Sequence, residues 1–324
     1  MAYQNVGTPR FYINEPLWLL SNNEASITNS TTFPDNIFNL NPTTQYTHIG
    51  STEQDHNINV NLTNGYNYIA WLGHNFSDSQ FTSYALDEFG ATITPTGGIN
   101  YSGETSGPTN DGFTFQFFDQ SSDFVDINFQ KLGTTTTVGK CSSISVGRFF
   151  DMPHSPDLMN LTMTREYGGI KTIETKGGAS LSNDFGSSPP NWGNAAAWEL
   201  WVSTPANQKL ASSGRRVWDL SFSYIQDSDI FPEVSNLNAL ESLSPEGLSY
   251  ETDLDPTGNT LLDAPNFYSQ VIHKTNGQLP FIFQPDNSNF NPDQFAICKF
   301  DSGFSFQQTA PNLYSVKMKI REVW

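Results

Sequence analysis

The sequence has 324 residues, of which 33 are acidic and 15 are basic, and its formal net charge at pH 7 is −18. This acidic excess repels a phosphate backbone, so the sequence argues against direct binding of nucleic acid. Charged residues make up only 15% and aromatic residues 14%, a balance that is typical of a turn-rich, all-β protein. A chain this long can bury a large core, so folding requires neither a cofactor nor a disulfide.

Short strands separated by polar turns are predicted throughout the first half of the chain. Residues 1–27 lack a basic stretch followed by a continuous apolar run, so we expect synthesis in a cytoplasm, without export or membrane insertion. A short helix is predicted within this segment at 15–23. Apolar spacing predicts the following strands: 55–62, 67–73, 112–119 and 124–132. These strands indicate a compact antiparallel β-sandwich over residues 28–142.

The strand at 67–73 runs into the polar pair His74-Asn75. Residues on both of its faces are apolar, as in a strand buried on two sides, and Gly73 permits a turn at the sandwich rim, where binding groups are often placed. His74 and Asn75 are therefore candidate contacts to a sugar or another polar ligand. The alternative is that both side chains bond neighbouring backbone and hold the strand end, because no general-base partner of His74 is visible.

Longer loops rich in Pro, Trp and Asn separate the strands of the second half. Apolar and polar residues alternate along the predicted strand 215–225, and its predicted buried face consists of Trp218, Leu220, Phe222 and Tyr224. The last strand, 312–324, has the same alternation, and one of its faces consists of Tyr314, Val316, Met318 and Ile320. Further elements are predicted as strands at 143–150, 158–166, 197–203 and 294–300 and as a helix at 265–275. Residues 143–324 are predicted to form, with residues 1–27, a second β domain packed on the sandwich.

The opposite face of the last strand is basic. Lys317, Lys319 and Arg321 place three of the 15 positive charges on one side of one strand in a strongly acidic chain. One interpretation is protection of an edge strand, where lysine discourages unwanted pairing. The other is docking against an acidic surface of a neighbouring copy. These three residues are therefore candidate assembly contacts.

Three tryptophans lie close together in the stretch "PPNWGNAAAWELW". Trp192, Trp198 and Trp201 are candidates for a sugar-stacking platform, or they are core and interface anchors, which is the more common role of such residues. We retain Trp192 as a candidate ligand contact and predict Trp198 and Trp201 as assembly anchors.

Acidic clusters in the second half offer little sign of a metal or catalytic site. The stretch 253–264 begins like a calcium loop, but its twelfth position is Ala264 instead of a bidentate glutamate, so a solvated turn is favoured. Asp227 and Asp229 are predicted to share a face at the end of the strand 215–225. A glycosidase needs two carboxylates at a set separation, and nothing in the sequence selects one pair.

Motif searches also point away from catalysis. The chain has no nucleophile elbow, zinc-protease motif, P-loop or dinucleotide fingerprint, and its five histidines are scattered. Cys141 and Cys298 are the only cysteines, so a disulfide framework is excluded, while a single bridge between them stays open. We predict no catalytic residue, no metal and no cofactor.

A family resemblance accompanies the strand that ends in "LGHN". This strand, with "INVNL" before it and "FVDINFQKL" after it, resembles the discoidin or galactose-binding type of jelly roll that is inserted in some tailed-phage virion proteins. The resemblance implies loop-end contacts to sugars or to neighbouring subunits, and it implies no catalysis. Carried over to this chain, those contacts would fall on His74 and Asn75.

The second half carries a related resemblance. Segments including "GRFFDMPHSPDL", "PPNWG" and the C-terminal "NLYSVKMKIREVW" are similar to uncharacterised structural proteins of marine tailed phages. The resemblance implies a virion protein in the tail or tail tip, with capsid decoration as the alternative. The expected partners of the protein are further copies of the same chain, other virion proteins and a host-surface glycan. The competing function is a carbohydrate-binding module or a glycan-degrading enzyme.

Overall fold

The computed structural model confirms an all-β protein with few short helices. It describes residues 6–23, 27–29, 35–41, 44–48, 55–62, 65–75, 81–102, 105–106, 112–120, 124–131, 139–166, 171–183, 191–192, 195–196, 198, 214–232, 261–262 and 264–323. The predicted strand at 197–203 lies outside these residues except for Trp198, which is in a turn. The stretch 253–264, predicted as a solvated turn, also falls largely outside them.

The strands follow in chain order. They are β1 (Arg10–Tyr12), β2 (Ile27–Asn29), β3 (Tyr46–His48), β4 (Asp55–Asn61), β5 (Tyr66–Leu72), β6 (Phe81–Leu86), β7 (Thr92–Ile93), β8 (Gly97–Ile99), β9 (Tyr101–Ser102), β10 (Thr105–Ser106), β11 (Phe113–Gln120), β12 (Phe124–Lys131), β13 (Gly139–Cys141), β14 (Ser143–Gly147), β15 (Phe149–Asp151), β16 (Thr162–Glu166), β17 (Lys171–Glu174), β18 (Ser180–Asn183), β19 (Asn191–Trp192), β20 (Ala195–Ala196), β21 (Arg215–Gln226), β22 (Phe281–Gln284), β23 (Ala296–Phe300), β24 (Ser305–Ala310) and β25 (Leu313–Glu322). The strands predicted at 143–150 and 294–300 are thereby confirmed, whereas the strand predicted at 158–166 begins only at Thr162, because residues 158–160 form a turn.

The helices are short. They are the α-helices α1 (Glu15–Ser21) and α2 (Asp227–Ile230), 3-10 turns at Asp35–Phe38 and Pro292–Gln294, and a π-helical stretch at Tyr268–His273. The helices predicted at 15–23 and 265–275 are confirmed. Within the described ranges, no helix has the length and apolar character needed to cross a membrane.

Three antiparallel sheets form three layers. An outer sheet has the strand order β2-β4-β12-β6-β7, and a middle sheet has the order β14-β5-β11-β8. A large sheet has the order β15-β1-β22-β23-β25-β21-β16, with β24 also paired to β25. The outer and middle sheets pair face to face as the predicted sandwich, and the large sheet packs on the other face of the middle sheet.

The middle sheet is buried on both faces, which explains the apolar character of β5 on both sides. Ile69 and Trp71 point into the sandwich core with residues of the outer sheet. Tyr68, Ala70 and Leu72 point the other way, into a cluster shared with the large sheet. The predicted strand buried on two sides is therefore confirmed, and its position between layers is the physical cause of its composition.

Aromatic rings fill the contact between the middle and large sheets. Tyr12 of β1 packs on Tyr68 at 5.0 Å and on Phe115 at 5.1 Å between ring centroids, and Phe295 packs on Phe115 at 5.2 Å. Tilted and edge-on pairs of this kind add to the energy of burial. The two predicted β units therefore share a core, while the boundary predicted at residue 142 stays a prediction; β14, just beyond it, pairs with β5.

Strand β21 departs from the predicted alternation. Trp218, Leu220 and Phe222 are buried as predicted, but Tyr224, predicted on the same face, is 75% exposed. The pairing of β21 with β25 shifts between Phe222 and Ile225, so Ile225 takes the next buried place. A β-bulge adds one residue and reverses the side-chain alternation beyond it, and the prediction for Tyr224 is wrong for this reason.

Strand β25 is an interior strand. It pairs with β21 on one side, and with β24 and β23 on the other. Val316, Met318 and Ile320 are buried, as the alternation predicted. The interpretation of its basic face as edge protection is wrong, because both sides of this strand are already hydrogen-bonded.

Candidate functional site

His74 lies just past β5, where the sequence predicted either a ligand contact or a structural hydrogen bond. Its side chain is 2% exposed, and its Nε2 atom lies 2.9 Å from the hydroxyl of Thr114. Its backbone N–H donates to the carbonyl of Gly112 at 2.9 Å and extends the pairing of β5 with β11. Burial lowers the pKa of His74 to about 3. This geometry favours the structural alternative, and ligand binding by His74 stays a prediction.

Asn75 closes the same strand end from the surface. Its side-chain oxygen accepts a hydrogen bond from the backbone N–H of Lys140 at 2.7 Å, and its own N–H donates to the Lys140 carbonyl at 3.2 Å. These bonds join the end of β5 to β13. Asn75 is exposed, while His74 beside it is buried. The structure therefore does not present the two side chains together on one surface.

The tryptophans do not share a described site. Trp198 is 3% exposed, and its ring packs on Phe113 and Phe295, each at 5.7 Å between centroids. It anchors the contact between the middle and large sheets. Trp192 belongs to β19, but the position of its side chain is not described, and Trp201 lies outside the described residues. Their predicted roles in ligand binding and assembly stay predictions.

Two of the three cations on β25 have intramolecular partners. Lys319 pairs with Asp301 at 3.2 Å, and Arg321 pairs with Glu166 and, at 3.6 Å, with Asp301. Lys317 is exposed, and none of the described acidic side chains forms an ion pair with it. The charge that this face offers to another molecule therefore centres on Lys317.

The feature that the sequence did not reveal is an apolar margin of the large sheet. Strand β16 ends the sheet, and within the described part of the chain no strand pairs with its outer side. Four exposed side chains lie along this margin, and we call them the outer-edge surface: Leu158 (75% exposed), Met159 (99%), Met163 (42%) and Tyr224 (75%).

Hydrogen bonds join the turn that precedes β16 to strand β21. The N–H of Asp157 donates to the Ser221 carbonyl at 2.7 Å, and the Asp157 carboxylate accepts the Ser223 hydroxyl at 2.6 Å. The turn that carries Leu158 and Met159 is therefore fixed beside Tyr224. Met163 follows on β16 and is paired with Trp218, so its partly exposed side chain lies at the edge of the core face of the sheet. The consecutive pair Leu158-Met159 is the signal in the sequence, although its apolar character predicts the start of a strand and the structure has a turn there.

The acidic candidates are arranged differently from the prediction. Asp227 and Asp229 belong to the short helix α2 because β21 ends at Gln226, so the prediction that they share a strand face is wrong. Among the residues that the structure describes, no group of three or more His, Cys, Asp or Glu side chains could hold a metal ion. The absence of metal and cofactor stays a prediction.

We expect neither cysteine to react with Ellman's reagent in the native protein. Cys141 and Cys298 are free, fully buried and members of different core clusters, so no bridge joins them. Burial raises the pKa of Cys141 to about 12 and that of Cys298 above its ordinary value. Thiol counting should give no fast-reacting group in the native state and two in denaturant. Rapid labelling of the native protein would contradict this burial.

Comparison with known proteins finds no matching family model and no matching curated protein. Among solved structures, the chain is similar to a selenomethionine-labelled mutant of chitosan-binding module 1, derived from a chitosanase/glucanase of Paenibacillus sp. IK-5. The identity is 16%, and the match covers 42% of this chain and 98% of the module, with a TM-score of 0.28. A TM-score of this size is too low to show a shared fold.

Proposed function

We propose that the protein is a non-enzymatic structural protein of a tailed-phage particle and that its copies associate through the outer-edge surface. The observation that carries the self-association is Tyr224. Its backbone has φ 62°, a conformation that is strained for a bulky residue, and its ring is 75% exposed. Strain of this kind is concentrated at functional positions. An exposed tyrosine on a rigid strand is also a typical interface anchor.

The partner that we propose is a second copy of the chain. The outer side of β16 offers backbone groups to which another strand could be added, and antiparallel addition of the same strand makes a self-complementary contact. Lys317 lies on the same sheet and is exposed, so it could pair with an acidic side chain of a second copy and offset part of the repulsion between two chains of net charge −18. Placement in the tail or tail tip, or on the capsid, is supported by the sequence resemblance.

Tyr224→Gly is the sharpest test of this association. Glycine adopts positive φ without strain, so the variant should fold at least as stably as the wild type while lacking the ring. We expect the wild type to form a discrete oligomer, or an open polymer that loosens with salt, and the variant to dissociate about thirtyfold more readily, as for a hot spot of about 2 kcal/mol. Light scattering over a range of protein and salt concentrations measures the mass of the wild type and of the variant, and therefore how readily each dissociates.

Phe89→Ser provides the matched control. Phe89 is 86% exposed but lies at the turn between β6 and β7, away from the outer-edge surface, so its loss should leave the oligomer intact. Lys317→Glu should weaken association and reverse its salt dependence. A wild type that remains a monomer at all salt concentrations, or equal association of wild type and Tyr224→Gly, would overturn the proposal.

A further inference from the structure

A cleft of about 400 Å³ lies where β21 ends, next to the turn between β24 and β25. Its lining comes from two segments that are distant in sequence: Gln226, Asp227, Ser228, Phe231 and Pro232, and Pro311, Asn312 and Leu313. The end of β21 and the start of β25 are paired at Gln226 and Leu313, which brings these segments together. The lining of the cleft includes neither His74 nor a residue of the outer-edge surface, whose Tyr224 lies two residues before Gln226 on β21.

The apolar wall of the cleft is rigid. The ring of Phe231 packs on Phe306 at 5.2 Å, on Tyr314 at 5.5 Å and on Tyr268 at 6.1 Å between centroids. Pro232 and Pro311 add two apolar rings whose backbone torsion is fixed. A half-buried aromatic ring flanked by prolines offers a surface of C–H groups that needs no rearrangement before a ligand binds.

Backbone hydrogen bonds fix the polar part of the cleft. The N–H of Asp227 donates to the Asn312 carbonyl at 3.0 Å, and the N–H of Phe231 donates to the Asp227 carbonyl at 2.9 Å. Asn312 lies in the turn at φ 59°, a region that asparagine tolerates. The two segments are therefore locked together through their main chains, and their side chains are not needed for this contact.

The polar side chains of the cleft are available to a ligand. Gln226, Asp227, Ser228 and Asn312 are exposed, and no described residue forms a hydrogen bond or ion pair with any of these four side chains. The carboxylate accepts hydrogen bonds, the hydroxyl and the two amides both donate and accept, and all four residues line the cleft together with the apolar wall. A ligand that fits this lining has an apolar C–H face and several hydroxyl groups.

We infer that this cleft binds a short neutral saccharide. The C–H face of a pyranose would lie against Phe231 and the prolines, while its hydroxyls donate to the Asp227 carboxylate and exchange hydrogen bonds with Gln226 and Asn312. A pocket of this volume with an apolar wall and a few convergent polar groups is typical of small-ligand sites. The Asp227 charge and the net charge of −18 repel acidic sugars. The inference does not depend on self-association.

Saturation-transfer NMR followed by calorimetric titration with glucose, galactose, mannose and their disaccharides tests the inference on the full chain. We expect binding in the millimolar range to at least one of these sugars, and a loss of about tenfold or more in Asp227→Ala, which removes a charge-assisted acceptor. The matched control is Asp229→Ala, which removes a carboxylate from the same helix but not from the lining of the cleft. This control should bind as the wild type does.

Thermal unfolding of both variants shows whether each is folded, and Gln226→Ala gives a second, independent loss of cleft contacts. Binding of none of the neutral sugars, binding that is equal in wild type and Asp227→Ala, or glucuronate binding as tight as that of the neutral sugar would each overturn the inference. Self-association is scored separately, since Asp227→Ala should leave the oligomer mass unchanged and Tyr224→Gly should retain sugar binding.

Discussion

Arg216→Met is expected to lower the free energy of unfolding by about 3–5 kcal/mol, the range for breaking a buried ion pair by removing one partner. Arg216 and Glu322 are 4% and 5% exposed, and the Arg216 Nη2 atom lies 2.7 Å from a Glu322 carboxylate oxygen. The Nε atom lies 3.0 Å from the other oxygen. Methionine fills much of the volume but leaves the glutamate buried without its counter-ion. Urea unfolding measures the loss.

The same guanidinium also satisfies backbone groups that the substitution would strand. It donates to the carbonyls of Asp293 and Phe295, each at 2.5 Å, in the segment that leads into β23. Arg216 therefore joins β21, β25 and the approach to β23, so its loss should disturb the middle of the large sheet. Since a buried carbonyl without a donor costs further free energy, the loss should not fall below the stated range.

Two further variants separate the buried pair from an ordinary surface contact. Lys319→Met, also on β25, removes one of the two cations that pair with Asp301; because the lysine side chain is 39% exposed, the change should cost at most about 1 kcal/mol. The double variant Arg216→Met with Glu322→Leu removes both charges and should recover a large part of the stability. If Arg216→Met lowered the free energy of unfolding as little as Lys319→Met does, the ion pair of Arg216 and Glu322 would not be buried in solution.

The sequence predicts the strands well where one rule governs the pattern. The alternation of β25 holds from Val316 to Glu322 because its pairing with neighbouring strands keeps one face on the core. The two apolar faces of β5 likewise predict burial on both sides, and the middle sheet supplies it. The prediction fails at Tyr224, because a one-residue bulge cannot be recognised from the composition of the strand. Beyond the bulge, each side chain points to the face opposite to the one predicted.

The candidate sites were harder to predict because they depend on contacts between distant segments. Lys319 and Arg321 are candidate docking contacts in the sequence, and their acidic partners Asp301 and Glu166 reach them only through the pairing of β25 with its neighbours. The saccharide cleft likewise joins Asp227 to Asn312 across the paired ends of β21 and β25. Sequence identifies such residues one at a time, and the register of the large sheet decides which of them meet.

His74 provides the second large effect, through pH. Its pKa falls from the ordinary value of 6.5 to about 3 in the folded protein because burial disfavours the charged imidazolium. Between these values the unfolded chain binds a proton that the folded chain does not. Stability from neutral His74 is therefore fully present above pH 6.5 and is lost as the pH falls toward 3. From pH 7 to pH 4.5 the loss should be roughly 2–3 kcal/mol.

His74→Gln isolates this contribution from that of the carboxylates. Glutamine cannot take up the proton, so the variant, although less stable at pH 7, should lose about 2–3 kcal/mol less than the wild type on acidification to pH 4.5. Asn75→Ala, at the next residue, removes no titrating group, so its free energy of unfolding should change with pH as that of the wild type does. If the unfolding free energies of wild type and His74→Gln changed with pH in the same way, the imidazole would titrate in contact with water, and this result would favour His74 as a ligand contact over its structural role.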